Sequence, residues 1–289
     1  FLGSEFSPFF LVEPDQAVEA VKPPDGMSDT RFAKRYSEYK KLLANSPIQQ
    51  HGSEHQKESL LKSIDNAHRL LSSPKARKAF DLSLESKESY DTYKVGGRFG
   101  LGCLLAKRLT EAGARFIEVT HGYYPFKYWD THDNGHTKMK DLKKMIDAPI
   151  AQLVLDLEKS KLLDRTLIVV ASEFSRDMMM EGKPEKRVKD QVQVPPRIDG
   201  PQHYGMHRHF TGAGSVLLFG GGIKKGFVYG ETADERPCTT IKNPINTQQL
   251  HATMYRALGI PHDHHYNVEQ RPFYVTPDGV TEPVMDLFG

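Results

Sequence analysis

Three stretches of the chain hold side chains that could do chemistry together: Tyr128-Trp129-Asp130-Thr131-His132, Ser172-Glu173-Phe174-Ser175-Arg176 and His207-Arg208-His209. Between them they supply carboxylates, imidazoles and a guanidinium, the inventory that a divalent cation and an anionic substrate require. Asp130 and His132 alternate, and alternate residues of an extended loop point the same way. They are expected to ligate one metal ion; the plainer alternative is that Asp130 or Thr131 caps the following helix. Glu173 follows the apolar run Thr166–Ala171, where a lone buried carboxylate is costly unless paired or metal-bound. It is read as a ligand or base, or else as the ion-pair partner of Arg176. The planar fork of Arg176 suits sulfate or phosphate. His203, His207 and His209 crowd into seven residues, more imidazole than packing needs, so His207 and His209 are added to the expected ligands. His262, Asp263, His264 and His265 follow a helix stop and read as an adventitious surface group.

The elements that must position these clusters come from periodicity and caps. Residues 1–93 read as a helical lobe without obvious chemistry. One of its helices carries Phe32, Tyr36, Tyr39 and Leu43 on a single face, and a second carries Leu60, Ile64, Ala67 and Leu71. Ser73-Pro74 is a start signal, with serine as cap and proline at the first helical position. Residues 94–289 read as an α/β core. A helix ends at Ala112-Gly113, Arg115–Thr120 is an expected strand, and His136–Lys161 is a long helix. Thr166–Ala171 and Ser215–Phe219 are further strands, and Asn246 caps a late helix. Met178–Gly200 is too polar to pack and is expected to be a long loop. Strand, helix, strand in succession implies a mainly parallel sheet with helices on its faces. Ligands bind such sheets beyond the carboxyl ends of the strands, where Asp130, His132, Glu173 and Arg176 would lie.

Composition narrows the function classes. The chain has 289 residues with 39 basic against 37 acidic side chains, a net charge of +2. So near a balance, with no basic stripe interleaved by aromatics, argues against nucleic acid as a partner. No apolar run reaches the ~18 residues that a membrane span needs. The two cysteines, Cys103 and Cys238, form no CxxC pair, and Cys103 reads as a buried thiol within a helix. The chain begins Phe1-Leu2-Gly3 and is expected to be incomplete at its N-terminus.

Several motifs in order carry a resemblance. They are Leu104-Leu-Ala-Lys-Arg-Leu-Thr-Glu-Ala-Gly-Ala-Arg-Phe-Ile-Glu-Val119, Trp129-Asp-Thr-His132, Leu163-Asp-Arg-Thr-Leu-Ile-Val-Val-Ala-Ser-Glu-Phe174, Gly220-Gly-Gly-Ile-Lys224 and Leu250-His-Ala-Thr-Met-Tyr255. Together, from about Tyr90 onward, they resemble the domain of unknown function 1501 family, exported bacterial proteins that are sulfatase-like and grouped with the alkaline phosphatase superfamily. The resemblance implies a three-layer α/β/α sandwich, alkaline phosphatase-like, with the N-terminal helical lobe added. It implies a divalent metal, zinc or calcium/magnesium, and hydrolysis of sulfate or phosphate esters. By position Asp130 and His132 match the middle ligand pair, Glu173 the strand-end acidic ligand and His209 the late histidine. The substrate side would be an anionic small molecule or a sulfated or phosphorylated polymer, and the location exported or periplasmic. The opening strand that gives such proteins their first aspartate and nucleophile is expected to precede Phe1. Two positions depart from the family pattern. Ser175-Arg176-Asp177-Met178 replaces Gly-Arg-Thr-Pro, and Arg208-His209 replaces a frequent Asp-His. The competing expectation is a non-catalytic descendant that binds a polyanion or an envelope partner.

Overall fold

Several helix starts in this chain are written in short polar residues. The computed structural model describes residues 6–122, 124, 127–131, 135–176, 209–235, 238–268 and 270–289. Ser28 accepts from the Arg31 amide and starts α1 (Asp29–Ala44). A short α2 (Pro47–His51) follows. Ser53 and Gln56 then form a reciprocal capping box at the head of α3 (Glu54–Ser72), satisfying two backbone donors that a helix start leaves open. Ser73 caps α4 (Pro74–Phe80) with proline in its first turn, as the sequence predicts. Ser86 caps α5 (Lys87–Lys94), and α6 (Gly97–Ala112) ends where Gly113 turns left-handed at φ 96°.

The chain divides into two compact units, Phe1–Val119 with Ala148–Ile150, and Thr120–Asp147 with Ala151–Gly289. The first unit is helical and runs past the expected boundary at residue 93, because α6 packs on α4 and α5. Its core includes Ala17, Val21, Phe80, Leu82, Tyr93, Leu101, Cys103, Leu104 and Leu105, all under a tenth exposed. A charge cluster braces it. Glu85 accepts from Arg108 Nη1 at 2.5 Å, Ser89 Oγ at 2.9 Å and Lys107 Nζ at 3.2 Å. The Arg108 guanidinium also donates to the carbonyls of Lys78 and Ala79, closing the end of α4.

The second unit holds most of α7 (Gly135–Lys159), then β1 (Ile168–Val170), β2 (Ser175–Arg176), β3 (His209–Phe210) and β4 (Leu217–Phe219). Next come β5 (Glu231–Thr232), β6 (Thr240–Lys242), α8 (Thr247–Ala257), β7 (His265–Val268) and β8 (Arg271–Tyr274). Asn246 caps α8, again as the sequence predicts, and Gln249 completes a reciprocal box with it. Among the described residues the ladders are two-stranded and antiparallel: β1 with β4, β2 with β3, β5 with β6 and β7 with β8. The apolar runs around β1 and β4 were expected to join a mainly parallel sheet; these two instead pair antiparallel, Val169 opposite Leu218. An apolar run sets burial and leaves strand direction open. Arg115–Thr120 takes part in no described ladder. On α8, Thr253 donates to the Gln249 carbonyl at 2.7 Å and accepts from the Val284 amide at 3.0 Å, so its buried hydroxyl is satisfied. Among the described residues no helix is long and apolar enough to cross a membrane.

Candidate metal centre

Backbone hydrogen bonds wind the described residues that lead into Thr131. Lys127 N–H donates to Tyr124 at 3.2 Å, Asp130 N–H to Lys127 at 3.1 Å, and Thr131 N–H to Trp129 at 2.8 Å. Tyr128 sits in the left-handed region at φ 54°, uncommon for a bulky residue. Gly122 is left-handed too, at φ 76°, and a Cβ there would lie 2.7 Å from Tyr128 Cβ and 2.9 Å from Trp129 Cδ1. Only glycine fits against that turn. Trp129 donates its indole N–H to His121 Nδ1 at 2.6 Å. In neutral His121 the ring proton therefore resides on Nε2, and burial pushes the imidazole pKa down. The loop delivers Asp130 with its side chain 26% exposed and Thr131 buried behind it.

The β2–β3 ladder supplies the other wall. Its register sets Ser175 opposite Phe210 and Arg176 opposite His209. The Ser175 hydroxyl faces the carbonyls of Ala213 at 2.6 Å and Phe210 at 3.2 Å, tying the ladder to the turn beyond it. The His209 ring stacks on Phe174, with centroids 4.0 Å apart and planes 24° from parallel. Its Nε2 then stands 3.8 Å from Asp130 Oδ1. That gap is longer than the roughly 3.2 Å limit of a good hydrogen bond. It lies within the span of about 4.2 Å open to two atoms each ~2.1 Å from one ion.

A family model described as protein of unknown function (DUF1501) matches residues 1–287. The chain belongs to that family. No curated protein and no solved structure matches it. The match takes in the helical first third, where the motifs of the sequence fit more loosely.

In this DUF1501 chain, two of the expected ligands, Asp130 and His209, are brought together from loops distant in sequence. Arg176 is placed by its backbone in the same ladder pair as His209. Glu173 is not joined to them: it is exposed, because β1 ends at Val170 and the chain from Ala171 to Glu173 lies on the surface. The burial expected of its carboxylate therefore does not arise. Among the described residues no three His, Cys, Asp or Glu side chains converge as a metal would need. His132, His203, His207 and Asp177 lie outside the described residues, as does the whole of the expected Met178–Gly200 loop. The surface group of His262, Asp263, His264 and His265 packs on aromatic neighbours, His264 on Tyr266 and His265 on Tyr274, with centroids 5.0 Å apart in each pair. The residue that sequence reasoning missed is His121. Its only signal was an imidazole just past an apolar run, nine positions before Asp130 and on the same short loop as the single tryptophan.

Proposed function

We propose that this chain is a metal-dependent hydrolase of sulfate or phosphate esters, built as a sulfatase-like three-layer sandwich of the alkaline phosphatase kind and exported from the cell. The observation that carries the reading is the 3.8 Å approach of His209 Nε2 to Asp130 Oδ1, a distance suited to sharing a cation rather than a proton. Asp130 and His209 would hold zinc, calcium or magnesium, with His132 and His207 as further donors and Glu173 reaching in from the surface. A bound ion of this class polarises the ester oxygen and offsets charge that develops in the transition state. The role of Arg176 follows from its place opposite His209: it binds the non-bridging oxygens of the substrate and orients the ester. The Phe174 ring fixes the plane of the His209 imidazole from one side, as a supporting residue does for a ligand.

A second reading, a non-catalytic relative that binds a sulfated or phosphorylated polymer, draws support from the exposure of Glu173 and from Arg208 in the place of a frequent aspartate. The two separate cleanly. Elemental analysis of the purified full-length protein, followed by a panel of aryl sulfates and aryl phosphates, should find bound divalent metal and turnover that Asp130→Asn abolishes. Metal content unchanged in both Asp130→Asn and His209→Ala would sink the hydrolase reading. Retention on a heparin column without any turnover would favour the second.

A further inference from the structure

Asp130 is held at the end of a turn whose backbone is unusual twice over, with Gly122 and Tyr128 both left-handed. Something must hold such a turn, and the side chains that do so converge on one imidazole. Trp129 donates to His121 Nδ1 at 2.6 Å and its ring meets the imidazole edge-on, with centroids 5.7 Å apart and planes at 76°. Tyr128 meets the same imidazole at 6.0 Å and 71°. The two residues immediately before Asp130 are thus both keyed to His121, one of them by a directed hydrogen bond. A part-buried indole N–H is costly to leave without an acceptor, so the pair favours this arrangement.

We propose that His121 is a positioning residue: by accepting the Trp129 indole proton it fixes the turn that presents Asp130, and so sets the affinity of that carboxylate for a divalent cation. The inference rests on the reading of Asp130 as a ligand and adds to it a residue that touches neither cation nor substrate. Removal of such a supporting partner in metal sites costs roughly 10–100-fold in affinity. The acceptor is what matters, so a side chain that keeps an acceptor at the same reach should rescue the loss. In His121→Asn the amide oxygen lies where Nδ1 lay; in His121→Phe the ring remains and the acceptor is gone.

The test uses the full-length protein stripped of metal, titrated calorimetrically with Zn2+ and separately with Ca2+. Trp129 is the only tryptophan, so indole emission reports this hydrogen bond directly. His121→Phe is expected to shift the emission and weaken binding by roughly 10–100-fold, while His121→Asn stays within about threefold of the parent. Trp129→Phe removes the donor from the other side and should weaken binding equally; it carries the test if His121→Phe does not fold. Parent affinity in a folded His121→Phe or in Trp129→Phe, with binding lost in Asp130→Asn, overturns the positioning role alone. Parent affinity in Asp130→Asn, or no binding of either ion by the parent, overturns the metal centre and this role with it.

Discussion

Glu85 in the helical unit and Asp130 in the candidate centre are both acidic side chains near cationic or potentially cationic neighbours, and they are treated in opposite ways. Glu85, with its side chain 11% exposed, accepts from Arg108, Ser89 and Lys107 within 3.2 Å. Burial would raise its pKa, but those three donors together outweigh it and hold the carboxyl below its usual range. Asp130 is 26% exposed and faces His209, itself 52% exposed, across 3.8 Å. A carboxylate enclosed by fixed donors at hydrogen-bond distance contributes to holding helices together. Asp130 stands 3.8 Å from an imidazole and keeps part of its surface open to solvent, the placement that the proposed ligand role asks for. On the proposed reading, the contrast sets a charge that braces helices beside one that awaits a cation.

The sharpest way to break that contrast is at the centre itself. His209→Ala should lower bound metal to background, and any ester hydrolysis by at least the roughly 100-fold lost with one charge-stabilising group, with little change in the urea midpoint. If it unfolds the protein while leaving metal content intact, His209 belongs with Glu85 as a structural residue. Next in size, Arg108→Ala strips Glu85 of its closest partner and frees the carbonyls at the end of α4. It should destabilise the chain by about 2 kcal/mol in urea unfolding, below the loss for a fully enclosed pair, without altering metal content. A smaller, pH-dependent effect follows from the depressed pKa of Glu85. Its stabilisation is complete above the unfolded-state value of about 4.3 and is lost as pH falls through the lower folded value. The stability gap between parent and Glu85→Gln should therefore be steady at pH 6–7 and close on acidification below about 4.3. The smallest effect belongs to an exposed pair, Lys225 with Glu158 at 2.7 Å and 78% and 52% exposed. Lys225→Ala should stay within about 0.5 kcal/mol of the parent in the same assay.

The helices were legible because their punctuation is local. Ser73-Pro74, Asn246 and Gly113 each act on backbone groups within one turn, so the chain states them in adjacent letters. The helix α5 buries Tyr93, too little for a periodic signal in the sequence. Strand direction and pairing were not legible, since the apolar runs around β1 and β4 read alike whichever way they run. At the centre, side-chain type alone nominated Asp130 and His209, but nothing in the order of residues states that they lie 3.8 Å apart. Glu173 shows the converse: a carboxylate after an apolar run looked buried, and a β1 only three residues long leaves it outside. The role of His121 is not legible in the sequence, because its partner is an indole nitrogen eight residues away in a turn with two left-handed residues, a geometry no spacing rule encodes.

The two cysteines give each unit its own chemical clock. Cys103 is 2% exposed on α6, with burial pushing its thiol pKa up to about 12, so alkylating reagents should reach it only when the helical unit opens. Cys238 belongs to the second unit and is only partly covered. Mass spectrometry of timed labelling would then read the opening of one unit at the first sulfur while the second records local access, with no probe added to the protein.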